Sequence, residues 1–451
     1  MGIGLPAIQE AHGGRLRHEQ NLGPTNMMNE AKIRRAYDIA RERYGALGVD
    51  TEKAVDSLAT VSLSLHCWQG DDVGGFERPH AALSGGGLQV TGNHPGKART
   101  IDELRFDLEE AYSLIPGRHR LNLHAMYGEF GATPVDRDEI SPNHFKGWIE
   151  WAKGKALKLD FNATCFSHPK ASSGYTLSSR DKSVRKFWIE HVRRSRQISA
   201  VMGRELQSPC IHNLWIPDGS KDTPLDRSLR RALLTESLDA IFETTYKPSE
   251  MRDSVESKLF GIGSESFVVG SHEFYFGYAL SRKKMLCLDM GHFHPTESVA
   301  DKVSSILQFF DELLLHVSRG VRWDSDHVAI LSDELQALAQ EIVRSNALGR
   351  VHLALDFFDA SINRIGAWVI GARSTLKALL GALLEPTEKL REFEREGNYF
   401  GRLALLEEVK MLPAGSVWDY FCLKMNVPPA DDWMNDVDRY EREVLSKRIE
   451  G

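Results

Sequence analysis

Thiols are scarce in this chain. Its 451 residues hold five cysteines, Cys67, Cys165, Cys210, Cys287 and Cys422, widely spaced and without a Cys-x-x-Cys pair. That excludes a disulfide framework and a thiolate zinc site, and it suits a reducing cytoplasm. Long apolar runs are missing too: the longest, around Trp368, is bounded by Arg364 and Arg373, too short to span a bilayer. The N-terminus has no continuous apolar stretch of the secretory kind, Pro6 stands where a myristoylation signal needs Ser or Thr, and Glu10 and Glu19 argue against a transit peptide. Positive charge is in deficit. With 56 Lys and Arg against 63 Asp and Glu, the net charge of −7 disfavours nucleic acid and membrane surfaces as partners. Phosphate-binding loops are absent as well. Gly85–Gly87 with Gly92, and the run from Gly92 through Gly96 and Lys97, match neither GxGxxG nor a P-loop and read as turn residues.

What is present is ordinary globular composition, 42% hydrophobic and 26% charged, which rules out disorder, collagen and coiled coil. Residues 1–30 show little periodicity and are expected to form a flexible extension. Asn29–Leu47 reads as a helix. Eight short apolar runs follow, at 61–68, 120–127, 157–162, 211–219, 254–263, 285–294, 313–318 and 351–359, with helix-like segments such as Ser228–Thr244, Thr296–Leu313 and Asp333–Asn346 between them. Strands alternating with helices imply parallel pairing, and eight such units predict a closed (β/α)8 barrel over 31–383, with a doubly wound open sheet as the alternative. From 384 to 451 the chain is rich in Glu, Lys and Arg, with helices expected at Pro386–Arg395 and Leu403–Met411. This tail reads as a helical extension, either an oligomerisation arm or a solvated local cap.

The polar residues fall at the ends of the strand candidates. His124 ends the second, and Glu256 and Lys258 lie in the fifth. Asp289, His292 and His294 close the sixth. His316 lies in the seventh, followed by Asp324, Asp326 and His327, and Asp356 ends the eighth, followed by Asp359. In a barrel these ends converge on one mouth, where active sites form. Facing carboxylates repel unless a cation neutralises them. Oxygen ligands with a little imidazole and no thiolate favour Mn²⁺, Mg²⁺ or Co²⁺, with zinc still open. Glu256, Asp289, His316 and Asp356 could hold one ion, and His292, Asp324 and Asp326 another. On the residues alone the chain is a divalent-metal barrel enzyme.

The segments HCWQGDDVGGFE (66–77), LNLHAMY (121–127), DFNATCFSHP (160–169), LWIPDG (214–219), VESKLFGIG (255–263), LDMGHFHPTE (288–297), LLLHVSRGVRWDSDHV (313–328) and LALDFFDASINRI (353–365) resemble the bacterial L-rhamnose isomerase family. The resemblance runs from about residue 30 to the C-terminus. It implies a barrel of the xylose-isomerase type, conversion of L-rhamnose to L-rhamnulose as the first step of L-rhamnose catabolism, and a cytoplasmic homotetramer. By matching motif it implies Mn²⁺ at His292, Asp324 and Asp326. A second divalent ion (Mn²⁺, Zn²⁺ or Co²⁺) would sit at Glu256, Asp289, His316 and Asp356, the last also counted as catalytic. His124 matches a histidine on the ring side of the substrate, Lys258 a lysine beside the C1 and C2 oxygens, and Trp215 an aromatic wall of the sugar pocket. The expected chemistry is a C1–C2 hydride shift in the open-chain sugar, with an acidified water passing the proton between O2 and O1. A general-base enediol route is the alternative. Other readings are the same chemistry on another aldose, a metal-dependent phosphoesterase that cuts DNA, and a metal-stabilised scaffold without activity.

Overall fold

In the computed structural model, residues 24–77, 92–131, 135–258, 266–321 and 325–448 are described. The eight strand candidates are the eight barrel strands: β1 (Ser62–His66), β2 (Arg118–His124), β3 (Lys158–Asn162), β4 (Cys210–Leu214), β5 (Met251–Glu256), β6 (Met285–Asp289), β7 (Leu313–Val317) and β8 (Val351–Leu355). Each pairs in parallel with its neighbours in sequence. β1 closes the ring on β8 through Leu63 opposite Leu353 and Ser64 opposite Ala354. The open-sheet alternative is thereby excluded. A small antiparallel pair, Gly219–Ser220 with Phe267–Val268, lies outside the barrel.

Side chains alternate across each strand. One set, including Leu63, Leu65, Leu121, Leu123, Leu159, Phe161, Leu313, Leu315, Leu353 and Leu355, belongs to the main core between strands and helices. Inside the barrel, the apolar residues Ile211, Met285, Cys287, Leu314 and Ala354 form a separate small cluster. The rest of the inner face is polar, and its upper layer is the site described below.

Two expected helices appear with shifted ends, at Arg227–Phe242 and Asp333–Arg344. The expected Thr296–Leu313 helix is only Ala300–Ile306. Pro295 biases the residue before it away from helix, and the Thr296 amide is taken up by the His294 ring (3.3 Å). The expected Asn29–Leu47 helix begins within the presumed extension, at Pro24, and ends at Gly45. Residues 1–23 and Gly85–Gly87 lie outside the described residues. Gly92 and Gly96 are turn residues with φ of +122° and +92°, each pressed against backbone or side chain that a Cβ would strike.

Among the described residues the tail forms four α-helices, Thr387–Arg395, Tyr399–Val409, Ala414–Lys424 and Asp432–Glu443. Ala414–Lys424 buries Val417, Trp418, Phe421 and Cys422, and Tyr420 stacks on Tyr37 of the Pro24–Gly45 helix with ring centroids 3.8 Å apart. Near the end, Arg448 makes a forked pair with buried Asp107 (2.7 Å and 2.7 Å). Tyr440 donates to the same carboxylate (2.8 Å). The Tyr399–Val409 helix, by contrast, has no buried residue. All five cysteines are buried and unpaired. Among the described residues no single helix is long and apolar enough to cross a membrane.

Buried histidines give the fold a pH limit. His191 accepts the Thr164 amide at Nε2 (3.0 Å) and donates from Nδ1 to the Arg137 carbonyl (2.9 Å), so the neutral ring uses both nitrogens. Burial, aided by the Arg137 charge, lowers it from 6.5 to about 3. The unfolded chain takes up that proton near 6.5. The stability due to neutral His191 is therefore fully present above 6.5 and is lost as pH falls from there toward 3. The expected loss is about 1.4 kcal/mol per pH unit within that window. Urea midpoints between pH 7 and pH 4 check it: His191→Gln should flatten the slope by about that amount, and an unchanged slope refutes it.

Candidate active site

Four side chains meet at the carboxyl ends of β5 to β8. Glu256 ends β5, Asp289 ends β6, His316 lies within β7, and Asp356 directly follows β8. His316 Nδ1 is 2.9 Å from Asp356, 3.5 Å from Glu256 and 3.5 Å from Asp289. One ligand atom from each of the four lies within 4.8 Å of the others. Two neighbours orient the carboxylates. Asn213 of β4 donates its amide to Glu256 (2.5 Å). Asp289 Oδ1 accepts from the Gly291 amide (2.6 Å) and the Ser318 hydroxyl (2.8 Å).

The protein alone does not satisfy this cluster. Asp289 Oδ2 and both ring nitrogens of His316 are buried without a hydrogen-bond partner, a costly arrangement. Burial works against charge on His316, but its neighbours Cys287, Glu256 and Asp356, in that order, outweigh it and hold the imidazole well above its usual range. Burial alone would raise Glu256; His316 and His292 instead hold it far below the usual carboxylate range. Asp356 is pushed up to about 6 by burial and by the charges of Asp289 and Glu256. Three carboxylates and one imidazole around unsatisfied atoms fit a divalent cation with oxygen and nitrogen preference. Cys287 lies within reach of Glu256 and His316, but burial pushes its thiol far up, so it stays protonated near neutral pH.

The other expected residues border the same space. A cavity at the barrel mouth is lined by Trp68, His124, Asn162, Phe166, Trp215, Glu256, Lys258, His292, Asp326, Asp356 and Phe358. His292 Nδ1 is 3.0 Å from Glu256 Oε1. Backbone bonds hold the segment at Asp326: Arg319 and His327 bond each other (3.2 and 3.1 Å), and the Asp326 carbonyl accepts the Phe358 amide (3.2 Å). Its φ is +44°, a region aspartate tolerates. Asp324 lies outside the described residues. His124 sits under Trp68 with ring centroids 4.2 Å apart. Its Nε2 accepts from the Asn162 amide (2.8 Å), and Nδ1 faces Thr164 Oγ1 (3.3 Å). Burial keeps this imidazole well below its usual range, hence neutral. The Lys258 ammonium lies 5.0 Å over the Trp215 ring, and Trp215 meets Phe166 edge to face at 5.8 Å.

His294, His327 and Asp359 do not line the cavity. His294 bonds Thr296 (2.7 Å), His327 bonds Ser325 (2.9 Å), and Asp359 caps Ser361 (2.8 Å). Sequence reasoning passed over Trp68, Asn162, Phe166, Asn213, Ser318 and Phe358. Strand parity was the available signal for two of them, because Asn162 and Asn213 share the inward face of the barrel with His124 and Glu256.

Fold and site together define a (β/α)8-barrel protein with a candidate metal centre of oxygen and imidazole ligands beside an aromatic-walled polar cavity. The model of the L-rhamnose isomerase (RhaA) family matches residues 31–448. An L-rhamnose isomerase of Rhodopirellula baltica is 60% identical over 422 residues, covering 93% of this chain and 98% of that protein. One of Bacteroides thetaiotaomicron is 59% identical, covering 94% and 100%, and one of Salmonella paratyphi B is 56% identical, covering 92% and 99%. Among solved structures, an L-ribulose 3-epimerase aligns with a TM-score of 0.43 at 11% identity, over 73% of this chain and 97% of that one. The chain belongs to the L-rhamnose isomerase family.

Proposed function

We propose that this chain is an aldose–ketose isomerase that interconverts L-rhamnose and L-rhamnulose. The carrying observation is the Glu256–Asp289–His316–Asp356 cluster at the barrel mouth, opening onto a cavity that also presents a neutral His124 and the Lys258 ammonium. Family membership supports this reading over the DNA phosphoesterase and the inactive scaffold. Glu256, Asp289, His316 and Asp356 would hold one divalent ion, and His292, Asp324 and Asp326 a second, with Mn²⁺ as the ion proposed for the latter. Bound there, divalent ions supply Lewis-acid polarisation of the sugar oxygens.

The chain's own residues do the rest. Trp68, Phe166, Trp215 and Phe358 form the apolar walls that orient the sugar and exclude water. His124, neutral and held through Asn162 and Thr164, is placed to move the proton that ring opening requires. Lys258, a fixed cation over Trp215, stabilises negative charge developing on the C1 and C2 oxygens. No side chain needs to remove the C2 hydrogen if that hydrogen moves as a hydride. Turnover in deuterated water checks this: the ketose should carry no solvent deuterium at C1, and substantial label there overturns the hydride route.

The deciding assay strips the protein with EDTA, restores Mn²⁺, and follows ketose formation from L-rhamnose, L-mannose and D-xylose in parallel. Metal-dependent activity highest on L-rhamnose is the expected result. Activity highest on another sugar moves the specificity and keeps the chemistry, and no activity on any of them with metal bound refutes the isomerase reading.

The working form we propose is a cytoplasmic homotetramer. The Tyr399–Val409 helix supports an interface between copies: Tyr399, Phe400 and Leu403, with Met411 just beyond, are exposed, Phe400 by 84%. Such an apolar patch marks an association surface. Light scattering of Phe400→Glu should show smaller assemblies than the unsubstituted protein, and an unchanged mass removes this helix from the interface.

A further inference from the structure

The interior of a (β/α)8 barrel is ordinarily filled by layers of branched apolar side chains. Below the active site this barrel is hollow, and polar and apolar side chains line it in about equal measure. A cavity of about 390 Å³ runs from Thr60, Arg252, Glu312 and His352 at the amino ends of the strands up to Asn162, Asn213 and His316. Ser64, Arg120, Asn122 and Asp160 line its middle, and Ile211, Leu314 and Ala354 contribute the apolar part. Asn162 lines this lower cavity and the upper one alike. A single layer of side chains therefore separates the two.

Five buried polar atoms in and around this shaft have no partner: Asn122 Oδ1, Asn162 Oδ1, Asn213 Oδ1, Ser254 Oγ and His316 Nε2. Buried polar groups are almost always satisfied, and each exception costs about 1–3 kcal/mol. Four of the five atoms belong to residues that line the shaft, and together they call for a ligand. Its chemistry follows from the charges. Arg120 is forked on Asp160 (2.8 and 2.7 Å), and Arg252 is paired with Glu312 at the lower mouth, where His352 also meets Glu312 (3.3 Å). With its charges paired off, the shaft favours neither an anion nor a cation. It offers scattered donors and acceptors, as a chain of waters requires.

We propose that the barrel shaft is a water channel, through which water exchanges between bulk solvent at the amino ends of the strands and the floor of the active site. Sugar entering from above would close the aromatic-walled mouth, and this route bypasses it. Only the kinetic arm of the test rests on the isomerase reading.

A crystal structure of the metal-loaded full chain at atomic resolution is the first test. It should show ordered waters bonded to Asn122 Oδ1, Asn213 Oδ1 and Ser254 Oγ and continuing to Glu312. A dry shaft that takes up xenon under pressure overturns the proposal, whatever the enzyme's activity. The second test plugs the shaft with Ala354→Leu, or at the lower mouth with Gly349→Phe, where a Cβ meets no atom within 4 Å. The expected result is a severalfold lower kcat on L-rhamnose, with KM and bound-metal stoichiometry unchanged. Unchanged kcat in a folded variant whose structure shows the shaft filled refutes the exchange route, even if waters occupy the unsubstituted shaft.

Discussion

Glu256→Gln is expected to lower kcat on L-rhamnose by more than about 100-fold, since even removing an outer partner of a metal ligand costs about 10–100-fold. Glu256 is engaged through both of its carboxylate oxygens. One oxygen faces His292 (3.0 Å), and the other accepts from Asn213 (2.5 Å) and lies 3.5 Å from His316. It thus touches members of both proposed ligand groups. Glutamine keeps the shape and removes the charge, so His316, Asp289 and Asp356 remain around a weaker site. Metal content after dialysis, measured by atomic emission, should fall with activity. Asn213→Ala removes only the orienting amide, and a loss within the 10–100-fold range is expected. Unimpaired turnover of Glu256→Gln at saturating Mn²⁺ would refute its place among the ligands.

Arg448→Ala is expected to destabilise the fold by about 3–5 kcal/mol, the usual cost of stranding one member of a buried ion pair. Its partner Asp107 is fully buried, and Tyr440 would remain as its side-chain donor. Arg448 also bonds the Gly96 carbonyl (2.9 Å), so the substitution frees the end of the chain from the loop after β1. Two controls separate charge from packing. The penalty should shrink as pH falls, because protonation neutralises the stranded carboxylate. The double variant Asp107→Leu with Arg448→Met should recover most of the stability, since replacing both partners by apolar groups is often neutral. Urea midpoints measure all three. A penalty independent of pH and unrelieved in the double variant would assign the effect to lost packing.

Much of the molecule was legible beforehand because parallel strands leave a strong trace. Each of the eight apolar runs is short and bounded by polar residues, and a barrel fixes where such runs lead. Glu256, Asp289, His316 and Asp356 stood out because acids and imidazoles at the ends of buried strands break the apolar pattern. Asn213 and Ser318 did not stand out. They act through carboxylates on neighbouring strands; strand parity places Asn213 on the inward face but does not name its partner, and Ser318 lies beyond the end of its strand. The Ala300–Ile306 helix was overread at both ends because its amphipathic pattern extends into flanking segments where turn geometry takes over.

The sequence by itself determined the strand count, the metal-ligand candidates and the family, since all three rest on local pattern and matching motifs. Only the tertiary structure decided that the ring closes through Leu63 and Leu353, that His316 faces three carboxylates at once, and that the barrel beneath it is a hollow shaft. The physical reason is range. Propensity and periodicity act over a few residues, whereas ring closure, side-chain convergence and an unfilled interior depend on strands brought together from across nearly 300 positions, as Ser64 and Ala354 are.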